Sequence, residues 1–164
     1  NSITEMSLYP TYQLTESRRL TERGTQYTGM FYGHSLVSMS EHKGADSYGT
    51  FFLNSQGGPT LLKTDMELGE LAAPSAMDLA LAVVATIHKN CKSKEVAVLA
   101  CMKETVRGLQ KKLNSNLKKS NLIVDTVARV QGLATDICVY VVPNTHYLRS
   151  LDPRLFNVAT SRAR

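Results

Sequence analysis

Cysteine is scarce in this 164-residue sequence, and the three present, Cys91, Cys101 and Cys138, are odd in number, widely spaced and without a C-x-x-C pair. The pattern gives no basis for a disulfide framework or a zinc site, and it fits a reducing compartment. Long apolar runs are missing as well: none approaches the ~18 residues that a membrane-spanning helix needs, so no membrane partner is expected. The opening NSITEMSLYP has neither the basic start nor the apolar stretch of a secretory signal, and an intracellular location is expected. His34, His42, His88 and His146 are scattered without metal-ligand spacing, so no metal site is expected from this chain. The GHS triplet at Gly33 to Ser35 lacks the G-x-S-x-G elbow of a serine hydrolase. No G-x-x-x-x-G-K-[ST] phosphate-binding loop occurs either.

What is present reads as one globular domain, residues 1–164, with 43% hydrophobic residues and a formal charge of +5 from nineteen Lys and Arg against fourteen Asp and Glu. A basic excess of that size favours polyanions without demanding them. The run PSAMDLALAVVATIHKN repeats Met77, Leu81, Val84 and Ile87 at helical spacing, and Ser75 with Asp78 is placed to form a capping-box-like pair. EVAVLA, Glu95 to Ala100, is short, apolar and β-branched, as suits a central strand covered on both faces. KETVRGLQKKLNSN sets Val106, Leu109 and Leu113 on one stripe, with Lys103, Arg107 and Lys111 elsewhere, which predicts an amphipathic helix.

NLIVD (Asn121 to Asp125) and DICVYVV (Asp136 to Val142) are further strands, and a last helix opens near Asp152 and Pro153. That order predicts an α/β fold with a mostly parallel sheet. Towards the N-terminus the pattern predicts a helix from about Glu16 to Phe31. The glycine-rich stretch Gly44 to Leu62, with its short TFFL strand, predicts a loop-rich insertion or edge hairpin.

The C-terminal third is the most specific part. TVARVQGLATDICVYVV and, after one short loop, DPRLFNVATSRAR resemble motifs V and VI of superfamily 1 helicases, above all the subgroup of up-frameshift and senataxin enzymes and several viral helicases. Thr126, Val127, Gln131, Gly132 and Asp136 match the first motif without gaps, and Arg154, Asn157, Val158, Ala159, Arg162, Ala163 and Arg164 match the second. LTESRR, Leu14 to Arg19, resembles motif IV and would make Arg19 a nucleotide-contacting arginine, with Arg18 the alternative one place away. VAVLACMKETVRGLQKKL sits where the family has a strand, a Pro-Tyr-x-x-Gln turn and a helix, but carries Cys101, Met102 and Thr105 at those positions. Ala128 and Ala134 replace the family's aspartate and glutamate, and Ser161 its usual threonine.

The resemblance implies a RecA-like three-layer domain, the second of the two that clamp ATP in such helicases. ATP with Mg²⁺ would be held mainly by the first domain, which carries the phosphate-binding loop and is expected outside this chain. Arg162 would be the arginine finger, aimed out of the chain at phosphates, since a planar, always-charged guanidinium suits the charge that spreads over a transferring phosphoryl group. Arg19 would contact the nucleotide beside it, and Gly132 would let backbone approach the nucleotide. The three are expected together at the C-terminal ends of the parallel strands. Thr126 and Gln131 would touch single-stranded RNA or DNA through its backbone, with the lysine-rich helix as a broader electrostatic surface. Two functions follow: part of an ATP-dependent helicase, inactive in isolation, or a catalytically weakened RecA-like module that binds nucleic acid or protein.

Overall fold

The core is built outward from β3, Val96–Ala100, whose five residues are all buried. The computed structural model describes residues 15–31, 33, 36–41, 50, 52–54, 57–65, 70–117, 121–130 and 132–163. β3 lies between β4 (Leu122–Thr126) and β5 (Ile137–Val141), and both neighbours pair with it in parallel, Val98 facing Val124 on one side and Val139 on the other. With its hydrogen bonds satisfied from both edges, this strand carries no polar side chain at all.

Successive side chains of a strand point to opposite faces, and the packing divides accordingly. Val96, Val98 and Ala100 join a cluster with Val84 and Ile87 of α2 (Pro74–Asn90) and Leu109 and Leu113 of α3 (Lys103–Asn116). Ala97 and Leu99 meet Val127, Val130 and Ala159 on the other face. α3 connects β3 to β4, whereas residues 127–136 connect β4 to β5 across the sheet in the opposite direction. The strong right-handedness of such crossovers requires the two connections to lie on opposite faces. The fold is therefore mixed α/β with parallel strands and helical or turn layers on both faces.

The helices follow their expected faces, with local differences at their ends. α2 has Ala73 as N-cap and Pro74 in the first turn, without a side-chain cap bond. Proline at the first helical position starts the helix one residue early, so Ser75 falls inside it and the capping-box pair does not form. The Ser75 hydroxyl is buried without a partner, and Asp78 pairs instead with Lys112 of α3. α3 buries Val106, Leu109 and Leu113 as the stripe predicts, and Lys103, Arg107 and Lys111 are exposed.

The helix expected over Glu16 to Phe31 is shorter: α1 spans Glu22–Gly29. Thr21 stops it from extending backwards by taking extended backbone angles and accepting the Gly24 N–H on its hydroxyl at 3.1 Å. The residues before it form β1 (Glu16–Ser17), which pairs in parallel with β2 (Val37–Ser38) in a separate two-stranded sheet. Of the expected TFFL strand, Thr50, Phe52 and Leu53 are described and are not in a strand; Phe52 instead buries its ring in the α2–α3 cluster. The remainder of Gly44 to Leu62 is non-regular where described, and 44–49, 51, 55 and 56 lie outside the described residues.

Candidate nucleotide-facing site

α4 (Pro153–Thr160) begins where Asp152 accepts the Arg154 N–H on its carboxylate at 2.8 Å, the cap that the Asp-Pro pair predicts. β5 carries the chain to the C-terminal edge of the sheet and α4 returns it. The segment after α4 therefore arrives beside the approach to β5: Thr135 N–H donates to the Arg162 carbonyl at 2.9 Å, and Thr135 and Ala163 form a parallel bridge.

This corrects one expectation. Arg162 lies at the N-terminal end of the parallel strands, not the C-terminal end, because the returning helix ends there. Thr126, which closes β4 opposite Ala100, lies at the other end of the sheet. The expected strand-contacting threonine and the expected finger are thus separated by the length of a β-strand. Gln131 and Arg164, expected at the nucleic-acid and motif VI positions, lie outside the described residues, as does Leu14 of the motif IV match.

Arg162 is half-buried and engaged within its own chain. Its Nε donates to the Val158 carbonyl at 2.9 Å, one terminal nitrogen to the Leu133 carbonyl at 3.1 Å, and the other to the Ser161 hydroxyl at 3.4 Å. All three acceptors are neutral, and among the described residues no carboxylate pairs with this guanidinium. The same guanidinium acts on Cys138: burial pushes that thiol up to about 12, and the Arg162 charge opposes the shift. Arg19, also half-buried, donates from its guanidinium to the carbonyl of Ser161. Two arginines from opposite ends of the chain therefore meet at Ser161, one at its carbonyl and one at its hydroxyl. Arg18 is exposed.

Gly132 stands next to Leu133, one of the anchors of Arg162. It is exposed, with φ of +95°, in a turn closed by the Leu133 N–H to the Val130 carbonyl at 2.9 Å. A Cβ there would meet nothing within 4 Å. The glycine is thus required by its left-handed backbone rather than by crowding, and its face is open to an approaching group.

At the opposite edge, Asp125 accepts the Thr126 N–H at 2.7 Å and lies 3.8 Å from Arg129. Asp136, a match in motif V, accepts the Glu95 N–H at 2.9 Å and so ties the entry of β5 to that of β3. Thr105, at the family's glutamine position, is fully buried and donates to the Leu71 carbonyl at 2.6 Å. Ala128 is exposed, on the surface of the crossover.

Sequence reasoning missed the Val158 and Leu133 carbonyls and the part played by Ser161. Two of these are backbone groups with no residue signature, and only the Thr-to-Ser departure marked the third. No group of three or more His, Cys, Asp or Glu comes together as a metal site among the described residues, and none of their helices is long and apolar enough to cross a membrane. No protein-family model matches this chain, and no curated protein is significantly similar to it.

Proposed function

We propose that this chain is the second RecA-like domain of a superfamily 1 nucleic-acid helicase, supplying Arg162 and Arg19 to an ATP site completed by a first domain. The observation that carries the reading is the convergence of the two guanidinium groups at Ser161, with Arg162 bonded only to neutral acceptors. A half-buried cation to which no carboxylate is bonded among the described residues attracts a polyanion such as a nucleoside triphosphate. The open, left-handed Gly132 lies beside it. Mg²⁺, held mainly by the first domain, would neutralise charge on the phosphates; this chain would contribute the guanidinium that stabilises the charge developing on them. Thr126, which closes β4 at the other end of the sheet, would face single-stranded RNA or DNA together with the exposed Lys103, Arg107 and Lys111 of α3 and with Gln131, which lies outside the described residues.

A second reading is favoured by a specific observation. Each of the three guanidinium nitrogens of Arg162 is already occupied, by the Val158 carbonyl, the Leu133 carbonyl and the Ser161 hydroxyl, as suits a module that retains the fold and binds nucleic acid or protein without productive hydrolysis. Strand-stimulated ATP hydrolysis by the natural protein, including the domain this reading places before Asn1, separates the two. Arg162→Ala should lower the stimulated rate by about 10³- to 10⁵-fold with ATP binding retained. Tight single-strand binding with no hydrolysis for the substitution to remove selects the binding module.

A further inference from the structure

We propose that Arg19, whose place in the ATP site is given above, acts there as a positioning residue for Arg162, fixing the end of α4 from the other end of the chain, rather than as a nucleotide contact in its own right. The proposal rests on the motor reading above. Arg19 precedes α1 in the bend between β1 and that helix, and its guanidinium donates to the carbonyl of Ser161, the C-cap of α4. A helix C-terminus leaves its last carbonyls without intrahelical partners and carries partial negative charge, so a cation bonded there satisfies both needs.

Ser161 is the node from which Arg162 is held. Its N–H donates to the Asn157 carbonyl at 3.0 Å, and its hydroxyl donates to the Val158 carbonyl at 3.0 Å while accepting from Arg162. Val158 in turn accepts the Arg162 Nε–H, and the next peptide is pinned by Thr135. Phe31, just past α1, packs on Phe156 of α4 with ring centroids 6.0 Å apart, so the N-terminal unit grips α4 at a second point. Loss of the Arg19 bond should fray the last turn of α4 and slacken the carbonyl cradle around Arg162. Lysine at this position keeps the charge without the planar fork and should restore the effect in part.

The test uses the natural protein and follows strand-stimulated ATP hydrolysis together with amide hydrogen exchange. A positioning role predicts that Arg19→Ala lowers kcat about tenfold or more, with the KM for ATP changed by less than about twofold. Arg19→Lys should be intermediate, and the Arg19→Ala, Arg162→Ala double variant no slower than Arg162→Ala, since residues acting as one unit are not additive. Exchange at the Thr135 and Ser161 amides should rise about tenfold or more in Arg19→Ala while the β3–β4 ladder is unaffected. If Arg19→Ala does not fold, Arg19→Lys carries the same kinetic and exchange comparisons. A raised KM with additive losses would overturn the proposal in favour of direct nucleotide contact. Unchanged exchange at those two amides would overturn it whatever the kinetics. A wild-type protein that hydrolyses no ATP removes the motor reading and this proposal together, an outcome distinct from an active wild type with an unaffected Arg19 variant.

Discussion

A guanidinium cradled by the Val158 and Leu133 carbonyls holds α4 against the β4–β5 crossover as well as carrying a charge. Truncating it removes the guanidinium donor from the Leu133 carbonyl and leaves the Val158 carbonyl with the Ser161 hydroxyl alone, so Arg162→Ala should destabilise this chain by about 1–2 kcal/mol in urea denaturation, and Arg162→Lys should recover less than half of that loss. An activity defect in the alanine variant therefore needs a stability control. Cys138 gives a pH prediction. The folded chain holds its proton up to about 12, whereas the unfolded chain releases it near the ordinary value of 9.0. The unfolded state binds fewer protons in that window, so stability is complete below about pH 9 and falls as pH rises towards about 12. Tyr140, also pushed up to about 12 by burial, acts in the same direction above its ordinary 10.0. Denaturation midpoints measured across the alkaline range should fall less steeply in Cys138→Ala than in the wild type.

Among the elements, α3 packs through Gly108 against the turn before α2 and the first turn of α2 itself. A Cβ there would lie 2.9 Å from the Ala72 Cβ and 3.1 Å from the Met77 sulfur. Met77 is flexible enough to yield, but Ala72 has no rotamer to change. The overpacking cost of about 1–3 kcal/mol should exceed the roughly 1 kcal/mol that alanine gains in helix propensity. Gly108→Ala should therefore lower the melting temperature, and a rise would show that the helices can separate without loss. At α1 the sign is simpler: Thr21→Ala removes the hydroxyl that accepts the Gly24 N–H and should cost about 1 kcal/mol by the same assay. That cap also explains why the helical pattern around Glu16 to Arg19 did not become helix. Thr21 is a strong start signal, and the residues ahead of it found strand partners in Val37 and Ser38.

For the whole molecule, the +5 charge and the exposed Lys103, Arg107 and Lys111 give the nucleic-acid expectation a measurable form. If that stripe meets a single strand, affinity should fall linearly with salt on logarithmic axes, and replacing all three residues with alanine should reduce the slope by about 2. Equal slopes measured by fluorescence anisotropy would assign the stripe to solvent. The order of strands and helices from Pro74 onward was legible because each element states its environment locally. An uninterrupted apolar run such as EVAVLA needs cover on both faces, and the α3 stripe needs cover on one. The Asp-Pro start of α4 was legible for the same reason. Arg19, Gly132 and Arg162 were singled out by the motif resemblance alone, and the left-handed backbone that calls for glycine at 132 came from the structure.

What the sequence could not supply was how residues far apart in the chain are set against one another. The β1–β2 pairing joins Glu16 to Val37 and Ser17 to Ser38, each strand too short to show a period. The meeting of Arg19 with Arg162 at Ser161 depends on α4 running back along the sheet, which brings its end to the entry of β5 rather than its exit. The Leu133 and Val158 carbonyls that hold Arg162 are identical in every residue type and become selective only by position. Local chemistry thus determined which segments from Pro74 onward form helices and strands, and the motif resemblance singled out Arg162. Tertiary packing decided where that arginine sits and what holds it, because backbone acceptors and through-space neighbours leave no trace in a one-dimensional pattern.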